Sequence, residues 1–354
     1  MGLVLVGKAG KGILRIMFGQ TIQSTVSEVL RSRTYVMGTL ELMGGVRVGE
    51  SCGGGDGHGA LANDLCLMRP TGSAAGSADE LAELWIADSK TLFPRYVAFQ
   101  GTSKGPVGLE GAKYIRELWA QYNFTVANGL LVETVEDGMA VIKPCYFVLR
   151  VSFLDMKDDE IKKLKAAVAR CVEGDIATHA KATLVKLNQR AGAKTKGEEY
   201  KYVNVAGGRY NGKNLRDASN YLRSAGLGKF LDIVPGPLLR ATHGKLNSHM
   251  PLGVDSSYTH LIGALKAAWT ISSKMEEADL ELDLEGLDKP KWAHHTLRRT
   301  SDKKARESMS VTGSTKDELN DFYGWDQAAA AKDMQRHYQG RVIRSRRARI
   351  TMMI

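Results

Sequence analysis

The segment Tyr35 to Glu50, YVMGTLELMGGVRVGE, sets an ion pair directly behind an apolar helix, and this constrains the fold more than any other stretch. The apolar run predicts a helix packed in the core and closing near Gly44-Gly45. Arg47 and Glu50 follow at once. An arginine that projects from a buried turn needs a carboxylate to orient it, because an unpaired buried charge is expensive. The plainer alternative is an exposed arginine beside a helix end. Just upstream, Ile22, Val26, Val29 and Leu30 recur at helical spacing and predict a separate helix before this one.

Groups of the same chemistry recur at the far end of the chain. His295 stands three residues before Arg298, with Arg299 next to it, at the head of a helix expected to run to residue 309. The apolar run Glu318 to Trp325 (ELNDFYGW) follows, then an alanine-rich helix, DQAAAAKDMQRHY, that ends on Tyr338. The last residues carry five arginines (Arg341, Arg344, Arg346, Arg347, Arg349). They are read as a phosphate-binding tail, as a segment that docks on a neighbouring subunit, or as a frayed end. The net charge of +10, from 49 Lys+Arg against 39 Asp+Glu, favours a polyanionic partner such as nucleic acid.

Between these ends the patterns are less regular. GKAGKG (Gly7 to Gly12) lacks both the glycine spacing and the Ser or Thr of a phosphate-binding loop. Residues 51–82, rich in Gly, Ala and Ser, are read as a flexible connector around one apolar patch, Leu61 to Met68. LWIADSKTLFPRYVAF (Leu84 to Phe99) predicts a β-hairpin with Lys90 at its turn. Residues 109–122 predict an amphipathic helix burying Leu109, Tyr114, Ile115, Leu118 and Trp119, and residues 141–153 an extended segment. A charged helix, KDDEIKKLKAAVARC, comes next. KTKGEEYKYVNVAGGRYNGKN is either a surface loop or a DNA-tracking strap, because basic and aromatic residues alternate in it. Tyr258 to Trp269 predicts another helix, and the acidic run EEADLELDLEGLD a loop held away from DNA.

Four separated cysteines (Cys52, Cys66, Cys145, Cys171) contain no CxxC pair, which suits a reducing compartment and argues against a zinc ribbon or a disulfide framework. No metal-ligand spacing of Asp, Glu and His is present either. No apolar run reaches about 18 residues, so no membrane span is expected.

The ordered series Arg47-x-x-Glu50, Lys90-Thr91 on a hairpin, His295-x-Leu-Arg298, Gly324-Trp325 and a late Tyr338 resembles the active site of the tyrosine recombinase (phage integrase) family. The resemblance covers residues 21–150 and 286–354. It implies a single catalytic domain over 1–354 of α+β class, mostly helical, with a small antiparallel sheet and a large insertion at about 155–285. It implies that Arg47, Arg298 and Trp325 hold the phosphate oxygens and that His295 helps take a proton from Tyr338. Tyr338 would then form a 3′-phosphotyrosine bond while Lys90, or Lys104 in its place, protonates the leaving 5′-hydroxyl. Arg299, Arg346 and Arg347 would bind DNA. No metal or cofactor enters that scheme, and the partners implied are double-stranded DNA and further copies of the chain in a tetrameric synapse.

The chain also departs from the family pattern. The interval from Arg47 to His295, 248 residues, is about twice that of the family, and the step from Trp325 to Tyr338, 13 residues, is about one helical turn longer. Tyr323 is therefore a second candidate phenol, although it is expected to pack in the core. The helical core-binding domain that precedes the family's catalytic domain is expected to be absent. The insertion and basic tail favour a eukaryotic mobile-element enzyme acting in the nucleus, with a cytoplasmic enzyme as the other reading. A DNA-binding remnant without turnover and a type IB topoisomerase-like enzyme are the competing functions.

Overall fold

The computed structural model describes residues 7–18, 28–53, 59–87, 94–102, 108–152, 155–170, 202–210, 212–243, 246–275 and 295–323. These form an α+β structure, helices packed with antiparallel sheets. Among the described residues no helix is long and apolar enough to cross a membrane.

The GKAGKG segment opens a helix, α1 (Gly7–Phe18), that buries Ile13, Leu14, Met17 and Phe18. The next helix, α2 (Glu28–Leu42), is the centre of the molecule, with every residue from Ser32 to Leu42 buried. Two helices were expected here, but Val29 and Leu30 lie on the same helix as Tyr35. The polar stretch Arg31 to Thr34 reads as a break, yet it holds neither glycine nor proline. Two of its side chains find acceptors within the core: Thr34 Oγ1 donates to the Leu30 carbonyl at 2.8 Å, and Arg33 Nη1 to the Arg240 carbonyl at 2.6 Å. A helix buried all round cannot show an amphipathic stripe, so periodicity misplaces its start. Gly38 lets α1 approach, since a Cβ there would lie 2.8 Å from the Phe18 ring.

After α2 and a one-turn helix, α3 (Val48–Ser51), comes a five-stranded antiparallel sheet built from β1 (Leu65–Pro70), β2 (Leu81–Ile86), β3 (Arg95–Gln100), β4 (Leu131–Glu136) and β5 (Met139–Pro144). Its order is β3-β2-β1-β5-β4. The apolar patch of the supposed connector is therefore β1, the middle strand, with Leu65, Leu67 and Met68 buried. Its serine- and glycine-rich downstream flank, 71–80, is made of turns, and residues 54–58 of the upstream one lie outside the described residues. The predicted hairpin is present as β2 and β3, paired from Leu81↔Gln100 to Ile86↔Arg95. Between β3 and β4, α4 (Gly111–Gln121) buries Tyr114, Ile115, Leu118 and Trp119, as its periodicity predicts, and packs on α2.

The extended segment predicted over 141–153 is split. It ends β5 at Pro144 and resumes as β6 (Phe147–Ser152), which belongs to a second sheet of order β7-β6-β8 with β7 (Tyr202–Gly208) and β8 (Leu231–Pro235). The expected charged helix, α5 (Asp158–Arg170), and α6 (Lys213–Leu222) pack beside this sheet around a separate core that includes Leu149, Val151, Leu164, Val205, Leu215 and Leu222. Thus Tyr202 to Gly208 is neither loop nor strap, but a strand carrying Val205 and Ala206 into that core.

The chain enters this second unit after Tyr146 and leaves it at Gly236, and the Gly236 N–H donates to the Tyr146 carbonyl at 2.9 Å. The rest returns to the first core through β9 (Arg240–His243), β10 (Leu246–Pro251) and α7 (Val254–Met275). Helix α7 buries Leu261, Ile262, Leu265 and Ala268 there, against α1 and α2. Residues 147–235 thus begin and end at neighbouring points of the chain and share a core of their own. Three helices close the described chain: α8 (Thr296–Glu307), α9 (Met309–Thr312) and α10 (Lys316–Tyr323).

Near the end of α2 sits Glu41, 1% exposed, with no hydrogen-bond partner for either carboxylate oxygen among the described residues. Burial pushes its carboxyl well above the usual range, against a smaller opposing pull from Arg298. A carboxyl raised in the folded state contributes its full stability below its unfolded value of about 4.3 and loses it as pH rises toward the folded value. Glu41→Gln should therefore gain on the parent in thermal midpoint as pH goes from 4 to 8. A difference that stays constant over that range would contradict this assignment.

Candidate functional site

Helix α2 ends in a tight left-handed turn. Gly44 and Val46 N–H groups both donate to the Leu40 carbonyl, at 3.1 and 3.0 Å, and Gly45 takes φ +58°. Glycine is required twice over at 45. The left-handed conformation disfavours a Cβ, and one placed there would lie 2.3 Å from the Tyr323 ring. This turn launches α3, with Arg47 at its N-cap. The Arg47 N–H donates to Glu50 Oε2 at 2.8 Å, which fixes the carboxylate under the helix start.

Around that carboxylate the fold gathers three guanidinium groups from three distant segments. Arg47 Nη1 donates to Glu50 Oε1 at 2.8 Å. Arg95, the first residue of β3, grips Glu50 with both terminal nitrogens, Nη1 to Oε1 and Nη2 to Oε2, each at 2.9 Å. Arg298, on the first turn of α8, brings Nη1 to 3.9 Å from Glu50 Oε2. Its Nη2 donates to the Tyr323 carbonyl, which binds α8 to the end of α10. The Tyr323 ring also lies beneath the Arg298 guanidinium, 5.8 Å from centroid to Cζ.

Among the described residues, three guanidinium groups share the carboxylate of Glu50. Burial would raise the Glu50 carboxyl, but Arg95 first and then Arg47 more than offset this and hold it below the usual range. For Arg298 the imbalance has the opposite consequence. Burial, then the charge of Arg47, push its guanidinium down to about 10, with Glu50 pulling back and Arg95 adding to the depression. At neutral pH it stays charged. Among the three, Arg47 is the most exposed, 18% for its side chain against 8% for Arg95 and 5% for Arg298.

The expected residues are thus brought together in part. Arg47, Glu50 and Arg298 meet. His295 is exposed at the N-cap of α8, one turn ahead of Arg298, and Arg299 faces solvent beside it. Lys90, Lys104, Trp325, Tyr338, Arg346 and Arg347 lie outside the described residues, as does the acidic run before His295. Lys90 falls between β2 and β3, whose last pair, Ile86↔Arg95, abuts the cluster. Tyr323 is 0% exposed, with its hydroxyl 2.6 Å from Ser301 Oγ. Burial pushes that phenol far above the ordinary tyrosine value, which makes it a packing residue and a poor nucleophile.

Arg95 was missed by sequence reasoning. It sits in a strand rich in aromatic and β-branched residues, where a lone charge is the signal worth following. Among the described residues no group of His, Cys, Asp and Glu is placed to hold a metal ion. Comparison of the chain with family models, with curated proteins and with solved structures finds no match.

Two stability measurements check this geometry. Glu50→Gln removes the carboxylate beneath the guanidinium groups and should cost about 3–5 kcal/mol at pH 7 in urea unfolding. Because the Glu50 carboxyl is depressed, its contribution is full above about pH 4.3 and is lost as pH falls through the folded value. The gap between parent and variant should therefore close in acid. Gly45→Ala combines a left-handed Cβ with a clash on Tyr323 and should cost roughly 2–5 kcal/mol. A cost under about 1 kcal/mol would mean that Tyr323 does not seat on this turn.

Proposed function

We propose that this chain cleaves and rejoins DNA strands through a covalent phosphotyrosine, as its resemblance to the tyrosine recombinases implies. The observation that carries the reading is the meeting of Arg47 and Arg298, about 250 residues apart in sequence, on one carboxylate that cannot neutralise both. A phosphodiester is anionic, and its pentacovalent transition state concentrates charge on the two nonbridging oxygens. Guanidinium groups fixed in advance, with planar donor forks, stabilise that charge without reorganising. The surplus charge and the opening at Arg47 suit an anion arriving from solvent.

In the reaction the Tyr338 hydroxyl loses its proton, a step that His295 would assist, and its oxygen attacks phosphorus. The bond from phosphorus to the 5′ oxygen breaks, and Lys90 protonates the departing hydroxyl. The 3′-phosphotyrosine conserves the phosphodiester bond, so a 5′-hydroxyl from another strand can reverse the step without an external energy source. Tyr323 is set aside as nucleophile by its burial and its bond with Ser301.

A nicked duplex from which the 5′ fragment diffuses away traps the covalent complex. The parent and Tyr323→Phe should both give a protein–DNA adduct on a denaturing gel, and Tyr338→Phe none. Arg298→Ala should slow adduct formation by roughly 10²–10³-fold. A parent that shifts duplex in a native gel yet never forms adduct would leave a DNA-binding protein and remove the enzyme.

A further inference from the structure

Residues 147–235 hold 17 Lys+Arg against 10 Asp+Glu, so a quarter of the chain carries +7 of its net +10. The two helices of this unit distribute their charges in opposite ways. Helix α5 opens on Asp158, Asp159 and Glu160, at the end where the helix dipole favours negative charge. Glu160 also pairs with Lys229 at 2.8 Å, and Asp232 pairs with Arg150. Helix α6 has no acid in its first turn and opens instead on Lys213 and Arg216, where the dipole opposes positive charge.

The buried side of α6 is Leu215, Ala218, Ser219 and Leu222. Away from it, Lys213, Arg216, Asn220 and Arg223 follow one another at i, i+3, i+7 and i+10 and form an exposed stripe, with Asp217 the one acid beside it. The turn ahead of the helix adds Arg209, since the Gly212 N–H donates to the Arg209 carbonyl at 2.7 Å. The Arg209 guanidinium lies over Gly129, where a Cβ would come 2.5 Å from Nη1. Exposed aromatic rings single out the same place. Among the described residues five large hydrophobic side chains are exposed, and the two aromatic ones are Tyr210, at 55%, and Tyr221, at 36%.

We propose that this face of α6 binds the phosphate backbone of duplex DNA, as a contact separate from the Glu50 cluster. The inference takes its partner from the reading above and makes no use of strand cleavage. Arginine, lysine and tyrosine bond phosphate oxygens without reading sequence. From Lys213 to Arg223 the stripe is about 15 Å long, roughly the axial rise of four phosphates on one strand. A phosphate near Lys213 and Arg216 relieves the repulsion between these charges and the start of the helix. A single strand would instead be held by stacking on the tyrosines. Here the cations outnumber the rings, and Tyr210 already meets Phe147 edge-on at 6.1 Å, which favours the duplex.

The test is the salt dependence of duplex binding by the full chain, read by fluorescence anisotropy. Lys213→Gln, Arg216→Gln and Arg223→Gln together remove three phosphate partners. At about 0.15 M salt the affinity should fall roughly 10²-fold, and the slope of log K against log salt should become shallower by about 3. A control with the same loss of charge, Lys162→Gln, Lys163→Gln and Lys165→Gln on α5, should stay within about threefold of the parent. Equal losses in the two triple variants mean that net charge alone acts, and overturn the proposal. An unchanged slope, or a parent that binds no duplex, overturns it too. If Tyr210→Ala with Tyr221→Ala loses more affinity for a single strand than the charge variant loses for duplex, the face belongs to single strands and the proposal falls. Should the triple α6 variant not keep the parent's thermal midpoint, Lys213→Gln with Arg223→Gln replaces it, with an expected loss of about 30-fold and a slope shallower by about 2. Binding is read without cleavage, so a parent that holds duplex on this face yet forms no adduct removes the recombinase reading and keeps this one.

Discussion

The packing of α3, β3 and α8 on one another depends on a single buried carboxylate shared by three guanidinium groups. Glu50 accepts four hydrogen bonds and stands under three guanidinium groups that come from α2's exit turn, from β3 and from α8. Burying such a cluster is not a route to stability, since desolvating each ion costs several kcal/mol and the charges of one sign repel. What it provides is position. Each arginine is tied to the hub from a different element, so α3, β3 and α8 must all be in place before the cluster closes. Of the three, Arg47 is the most exposed to solvent.

The other buried arginines show how the same fold satisfies a guanidinium when no ligand is wanted. Arg240 lies against the faces of Tyr122 and Tyr146, with Cζ 4.7 and 4.9 Å from their centroids, and its Nη2 is 3.1 Å from His249 Nδ1. Arg33 donates to the Arg240 carbonyl at 2.6 Å and lies 3.3 Å from His260 Nδ1. Ring faces, a backbone carbonyl and imidazole nitrogens surround these two guanidinium groups. At Glu50 the partners are instead ions of the same sign around one carboxylate.

Much of this was legible along the chain, because local pattern and tertiary role agree there. The β2–β3 hairpin, α4, α5 and α8 all show their periodicity, and the Arg47–Glu50 pair reveals itself through the glycine turn before it. Pattern fails where burial is complete or where context supplies the missing half of an element. Helix α2 has no polar face to set its phase. Strand β1 is short and flanked by glycine and serine, so only its neighbours β2 and β5 make it a strand. Arg95 carries no local mark of its partner, 45 residues away in sequence and reached only once the sheet has formed.

The same reasoning redraws the long interval between the two ends of the site. The hydrogen bond from the Gly236 N–H to the Tyr146 carbonyl brings the entry and exit of the β6–β8 unit side by side. A Cβ on Gly236 would lie 2.1 Å from the Tyr146 ring, so the two strands cross there in contact. Beyond it, the Ala62 N–H donates to the Gly236 carbonyl and the Leu238 N–H to the Ala60 carbonyl, at 2.8 and 2.9 Å, returning the chain to the first core. Helix α7 is then indispensable to that core, since it covers α1 and α2 with Leu261, Leu265 and Ala268. The distance in sequence between Arg47 and Arg298 therefore has two origins: a self-contained unit of β6 to β8, and a helix without which α2, and the turn it delivers to Glu50, would face water.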